Sequence, residues 1–228
     1  MAKFVSVDKA VDLIPDGASI MFGGFMGNGN AHKIVEALSK SGKGNFTMIC
    51  NDASMPVGPL GEEYYGVSKL IHNRQVKHLI ATHVGLNPEV ATQMNEGTLK
   101  VTLIPQGSMA EMIRASGAGL GGVLTPTGVK TIVEENEFCL GTQIIGGRTY
   151  LLMKPLHADI AIIAGYNVDK AGNVWYKGTT RNFNLPMATA ADLVLCEADH
   201  VVDVGGIVPE NVHTSGVFVD YIVDGGNA

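Results

Sequence analysis

Polar residues able to hold a ligand cluster at the carboxyl ends of short apolar runs in this sequence. Asn51-Asp52 follows Phe46-Thr47-Met48-Ile49-Cys50, His83 follows Val76–Thr82, and Gln106 lies in Pro105-Gln106-Gly107 after Leu99–Ile104. Open α/β sheets bind ligands at the carboxyl ends of their strands, so these groups are placed for polar contact with a substrate. A plainer reading of Gln106 is a helix-entry residue bonded locally. Ahead of them, from Asp16 to His32, the turn-forming Asp16-Gly17 precedes Ile20-Met21-Phe22, and Gly23, Gly24, Gly27 and Gly29 then fall within seven residues. Such a loop lets backbone come close to a ligand and take positive φ, and the helix start after it offers unpaired N–H groups to an anion or a carbonyl. The same glycines would equally serve to pack a helix tightly on a sheet.

Other chemistry is poorly supplied. Cys50, Cys139 and Cys196 lack metal-type spacing and read as buried reduced thiols. The seven histidines show no H-E-x-x-H arrangement, so no metal site is expected. His32 and His83 read as surface or supporting residues near the loop. Met26, Met109 and Met112 would serve as soft apolar lining or as core filler. Gly117-Ala118-Gly119-Leu120-Gly121-Gly122 fits G-x-G-x-x-G only formally, because a helix precedes it and no helix follows, which excludes a nicotinamide reading. No G-x-x-x-x-G-K-[ST] is present either.

Periodicity supplies the elements that must position these groups. Ser6 caps a helix through about Ile14, and Ile34, Val35 and Leu38 share one face of a helix over Ala31–Leu38. Helices are also expected around Tyr64–His72, after Asn87-Pro88, and after Gln106 with Ser108 and Glu111 at capping-box spacing. Alternation of strand, polar loop and helix predicts an α/β fold: an open, mainly parallel sheet with helices on both faces. The second half turns to β-hairpin additions, with Cys139–Ile145 and Arg148–Met153 joined by Gly146-Gly147. Strands are expected at Asp159–Ala164, Asp192–Cys196 and Val217–Val223, and a helix near Met187–Ala191. Arg181-Asn182-Phe183-Asn184 reads as its capped start, with Arg181 on a local carboxylate. The tail Asp224–Ala228 is expected to fray. Residues 1–228 are read as a single domain.

Composition narrows the function classes. With 46% hydrophobic and 17% charged residues the chain has the makings of a well-cored globule, and a net charge of −6 without a basic run excludes nucleic acid or an anionic membrane as the main partner. No apolar run approaches the roughly 20 residues of a membrane span, and the opening Met1-Ala2-Lys3-Phe4 is unlike a signal peptide, so a cytoplasmic location is expected.

The order Asp-Gly, two residues, three apolar residues, Gly-Gly-Phe, three residues and Gly resembles the signature of the family I coenzyme A transferases, in particular alpha subunits of the acetate/acetoacetate or butyrate–acetoacetate type. Their fold is of the CoA-transferase and sugar-isomerase kind. The resemblance implies coenzyme A binding by Gly23, Gly24, Phe25, Met26, Gly27, Asn28 and Gly29, with CoA a substrate and no permanently bound cofactor. It implies substrate contacts from Gln106 and from Asn51-Asp52, where Asp52 replaces a second Asn and would add an unfavourable charge unless paired. The family pattern closes with Pro where Ala31 stands here, which implies a looser loop. The family's nucleophilic Glu belongs to the beta subunit, in a small-residue Glu-Asn-Gly turn that has no counterpart here; Glu134-Glu135-Asn136-Glu137 reads instead as a solvated segment. The chain then carries no catalytic residue of its own. It is expected to work as an enzyme only with a Glu-bearing beta subunit, in an alpha2-beta2 or higher heteromer acting on acyl-CoA and a short carboxylate such as acetoacetate or butyrate. The alternative is a non-catalytic, ligand-binding or sugar-phosphate-sensing domain of similar fold.

Overall fold

The computed structural model describes residues 2–226. In chain order the elements are β1 (Lys3–Val5), α1 (Val7–Asp12), β2 (Ser19–Phe22), α2 (His32–Lys40), β3 (Phe46–Cys50), α3 (Ser68–His72), β4 (Val76–Ala81), α4 (Pro88–Asn95) and β5 (Lys100–Leu103). They continue as α5 (Gln106–Gly117), β6 (Val123–Thr125), β7 (Cys139–Ile145), β8 (Arg148–Met153), β9 (Ala158–Asp169), β10 (Val174–Trp175), α6 (Asn184–Met187), β11 (Ala191–Val202) and β12 (Tyr221–Asp224). The main sheet runs β1-β12-β11-β9-β2-β3-β4-β5 with every neighbour parallel, and β10 pairs antiparallel with β9. A separate antiparallel sheet has the order β6-β8-β7.

Strand side chains alternate between two cores, as the two-residue period of a strand requires. Ile20 and Phe22 of β2 and Ile160 and Ile162 of β9 meet α1 to α4 on one face; Met21, Ala161 and Ile163 meet α5, α6 and the small sheet on the other. Ile34, Val35 and Leu38 are fully buried as their spacing demands, each worth about 1.5–3 kcal/mol. Met109 and Met112 are core residues, not lining. Among the described residues no helix is long and apolar enough to cross a membrane.

Several expectations hold locally. The Ser6 hydroxyl accepts from Lys9 N, Asn87 caps α4 with Pro88 at its first turn, and Gly146 and Gly147 turn the β7–β8 hairpin with positive φ.

Others are corrected. Tyr64 and Gly66 have positive φ, so α3 starts at Ser68 rather than near Tyr64. Helix α5 starts at Gln106 itself, with Pro105 as its cap residue and no side-chain cap; Ser108 lies inside the first turn with a buried, unpaired hydroxyl, so no capping box forms. Helix α6 ends at Met187, where a helix was expected to begin. Strands β9 and β11 each run 12 residues, paired as far as Asp169 and Val202. Gly216–Phe218 is a 3-10 turn and only Tyr221–Asp224 is strand. Asp224 is thus ordered, and Gly225 N donates to Ala198 O; of the expected frayed tail, residues 227–228 lie outside the described residues, as does Met1 of the opening segment. Cys50 and Cys196 are buried, whereas Cys139 is half-buried, and all three are free.

Candidate functional site

Strand β2 lies in the middle of the main sheet, between β3 and β9, so the loop after Phe22 emerges at the sheet's carboxyl edge beside Asn51-Asp52. Polar side chains fix its course. Asp52 Oδ2 accepts from Met26 N at 2.8 Å and from Asn51 Nδ2 at 2.6 Å, while Oδ1 accepts from Ser54 N at 2.8 Å. The charge that Asp52 brings is therefore spent on the chain's own donors, and the side chain is buried. Gln106 Nε2 donates to Asn51 Oδ1 at 2.7 Å. Gln106, Asn51, Asp52 and the Met26 amide form one unbroken hydrogen-bonded line from the start of α5 to the glycine-rich loop. Gln106 is its exposed end and Asn51 is buried, and each of the two amide nitrogens donates to one partner among the described residues. His83, joined to Asp52 by an isolated backbone bridge, lies exposed at the same edge.

Within the loop, Gly23, Gly24 and Gly27 are buried, Gly29 and Met26 are partly covered, and Phe25 and Asn28 are exposed. Met26 takes φ +52°, an uncommon value for a residue with a side chain. Phe25 N donates to Asn28 O and Asn28 N to Phe25 O, closing a tight turn. The glycines answer first to the protein itself. A Cβ on Gly23 would overlap the Asn184 carboxamide although Gly23 has no positive φ; one on Gly24 would overlap the Asn30 carboxamide, and one on Gly27 the Tyr65 ring. Close internal packing, the second reading left open by the sequence, accounts for these three.

The free helix start expected after the loop is absent. Ala31 is the cap residue of α2, has no capping side chain, and stands one place before the first helical position that the family's Pro was taken to occupy. Glu197 from β11 fills the vacancy: its carboxylate accepts from Ile34 N at 2.8 Å and from Lys33 N at 3.2 Å. Burial holds the Glu197 carboxyl above the usual glutamate value, partly offset by those two amides. An anionic ligand has no place at this helix terminus, because an internal anion already sits there. Burial also lowers His32, whose ring lies 4.8 Å from that of Tyr65.

The residues that sequence reading undervalued are Asn182 and Asn184. Among the described ion pairs none involves Arg181, so the expected carboxylate partner is not there; the two asparagines instead reach the glycine-rich loop. Two asparagines flanking an aromatic beside a short helix carry no local signal for a contact more than 150 positions away. Among the described residues no group of three His, Cys, Asp or Glu is arranged to hold a metal.

The chain is thus a layered, mainly parallel α/β protein with a glycine-rich loop and carboxamides at the carboxyl edge of its sheet. The chain belongs to the coenzyme A transferase family, whose model matches residues 4–225. It is similar to the acetate CoA-transferase subunit alpha of Escherichia coli, 42% identical over 97% of this chain and 96% of that protein. The acetoacetyl-CoA:acetate/butyrate CoA transferase alpha subunit of Clostridium acetobutylicum is also 42% identical, over 97% of each chain. Among solved structures, an acyl-CoA transferase of Escherichia coli O157:H7 in thioester complex with CoA superposes with a TM-score of 0.84 at 21% identity, over all of this chain and 48% of that one. That likeness establishes the fold.

Proposed function

We propose that this chain is the alpha subunit of a heteromeric short-chain acyl-CoA transferase that moves CoA from an acyl-CoA such as acetyl-CoA to acetoacetate or butyrate. The reactive glutamate comes from a beta subunit. Its carboxylate attacks the thioester carbonyl to give an enzyme acyl anhydride and CoA thiolate; the thiolate then attacks the glutamyl carbonyl, releasing the first acid and leaving a glutamyl-CoA thioester. The incoming carboxylate runs the same two steps backwards. Each attack builds an oxyanion, and one well-placed donor to it is worth roughly 3–4 kcal/mol.

The observation that carries this reading is the line from Gln106 through Asn51 and Asp52 to Met26 N, which joins two carboxamides to the loop assigned to CoA by resemblance. In this reading Gly23–Gly29 lie along the CoA arm, and Gln106 and Asn51 meet the acyl group with their remaining amide hydrogens. Asp52 does not contact substrate; it holds Asn51 and Met26 in place. The relatives named as alpha subunits, matched along almost their whole length, support a beta-subunit partner, and residues 1–228 are proposed as one domain because a single sheet joins the chain's first and last strands. Three unpaired cysteines suit a reducing, cytoplasmic setting. The alternative, a non-catalytic ligand-binding or sugar-phosphate-sensing domain, would not find a free helix start at α2, where Glu197 accepts from Lys33 N and Ile34 N.

Co-purified with its beta chain, the protein is expected to convert acetyl-CoA and acetoacetate or butyrate to acetate and the new thioester, and to be inactive alone. No transfer by the mixture across a panel of short acids, or transfer by the lone chain with an adduct on one of its own side chains, sinks the proposal.

A further inference from the structure

We infer that Asn182 and Asn184 are positioning residues for substrate: from the far half of the chain they set the shape of the glycine-rich loop that receives the acyl-CoA. The inference rests on the reading above for the identity of the ligand. Both carboxamides reach the loop's backbone, while Asn182 Nδ2 also donates to Thr179 O at 3.0 Å and Asn184 Nδ2 to Asn182 Oδ1 at 3.3 Å within their own segment. Asn182 Oδ1 accepts from Gly24 N at 3.0 Å, and its Nδ2 donates to Asn28 O at 3.0 Å, so one carboxamide spans both ends of the Phe25–Asn28 turn. Asn184 Nδ2 donates to Gly29 O at 2.9 Å, and its Oδ1 accepts from Ala164 N at 3.0 Å, which ties the loop to strand β9. Thr179 adds a bond to the Asn28 side chain at 2.7 Å.

Two further observations show how tightly this clamp is built. Asn184 is wholly buried, and its Nδ2 also donates to Thr180 O at 2.8 Å, so the carboxamide is fully used. Gly23 is a glycine because the Asn184 carboxamide stands where its Cβ would be. A small cavity lies at the end of the loop, lined by Asn28, Gly29, His32, Tyr65, Thr180 and Asp199 among others, so that Thr180 of the clamping segment is in its wall. The segment that fixes the loop therefore also walls the space beside it. A loop rich in glycine has much conformational freedom to lose on binding, and holding it in one shape beforehand removes that cost from the binding step.

The test uses the complete heteromer and two variants, Asn182→Ala and Asn182→Asp. The Asp variant keeps an acceptor for Gly24 N and loses the donor to Asn28 O. Losing both loop bonds should raise KM for acetyl-CoA roughly thirtyfold, at about 1 kcal/mol per hydrogen bond, with kcat within about threefold; the Asp variant should fall between wild type and Ala. Hydrogen exchange should quicken at the Gly24 amide in the Ala variant, less in the Asp variant, and stay unchanged in α5. Calorimetric titration with free CoA reads the same loss of affinity without relying on turnover. Wild-type KM and CoA affinity in the Ala variant would overturn the inference, as would exchange that rises equally through α5 and marks a general loss of fold. If the wild-type heteromer shows no transferase activity, the proposed function fails, and the CoA titration and exchange still decide the clamp.

Discussion

The glycine-rich loop and the small β6-β8-β7 sheet treat their exposed groups in opposite ways. Around the loop, Asp52, Asn30, Asn182, Asn184 and Glu197 all spend side-chain hydrogen bonds on backbone, and the surroundings are largely buried. On the small sheet, Leu124, Leu140, Ile144 and Ile145 stand exposed with no such bonding. The difference teaches that precision in this molecule is concentrated where backbone must keep a shape that glycine alone would not hold. The small sheet's outer residues contribute nothing comparable to the fold of this chain.

That contrast can be broken by substitution. The largest effect belongs to Asn184→Ala, which strands the partly buried Gly29 O, Thr180 O and Ala164 N and should cost about 3 kcal/mol, read as a fall in the denaturant midpoint. Gly23→Ala should cost about 2 kcal/mol by driving a methyl group into the Asn184 carboxamide, and clearly less when made in the Asn184→Ala background. Simple addition of the two costs would mean that Asn184 is not what makes position 23 a glycine.

A smaller and pH-dependent effect follows from Glu197. Burial raises its carboxyl in the folded chain, so the native state holds the proton more tightly than the unfolded chain does. The stability this contributes is present below the unfolded value of 4.5 and is lost as pH rises through the raised folded value. Tm of the wild type relative to Glu197→Gln should therefore decline as pH is taken from below 4.5 towards neutrality; a constant difference would show that the amides of Ile34 and Lys33 cancel the burial. The smallest effect is expected on the small sheet. Ile144→Ser should change the stability of the isolated chain by no more than about 0.5 kcal/mol.

Much of this was legible in the sequence where the cause is local. Strand β3 matches its apolar run residue for residue, and the β7–β8 hairpin follows from two glycines at its turn. The glycine-rich loop, Asn51, Asp52 and Gln106 were placed together because each follows a strand of one parallel sheet. Reading failed where partners are distant. Strands β9 and β11 continue past Ala164 and Cys196 through Tyr166, Asn167, Glu197 and Asp199, polar residues that look like loop until each strand is seen to pair with the other. Glu197 at the α2 terminus and Asn182 at Gly24 are contacts across 163 and 158 positions, beyond any periodicity. The first turn of the helix read around Tyr64–His72 was lost to two backbone conformations, at Tyr64 and Gly66, that no side-chain pattern announces.

The placement of β9 between β2 and β11 bears on how the polypeptide is made. As it leaves the ribosome, the opening βα half lacks the strand that flanks β2, and its glycine-rich loop waits for Asn184. The nascent N-terminal half has the loop's own turn and the Asp52 bond but not the carboxamides of the far half, so a prematurely terminated product would contain the loop's whole sequence with one of its two walls missing.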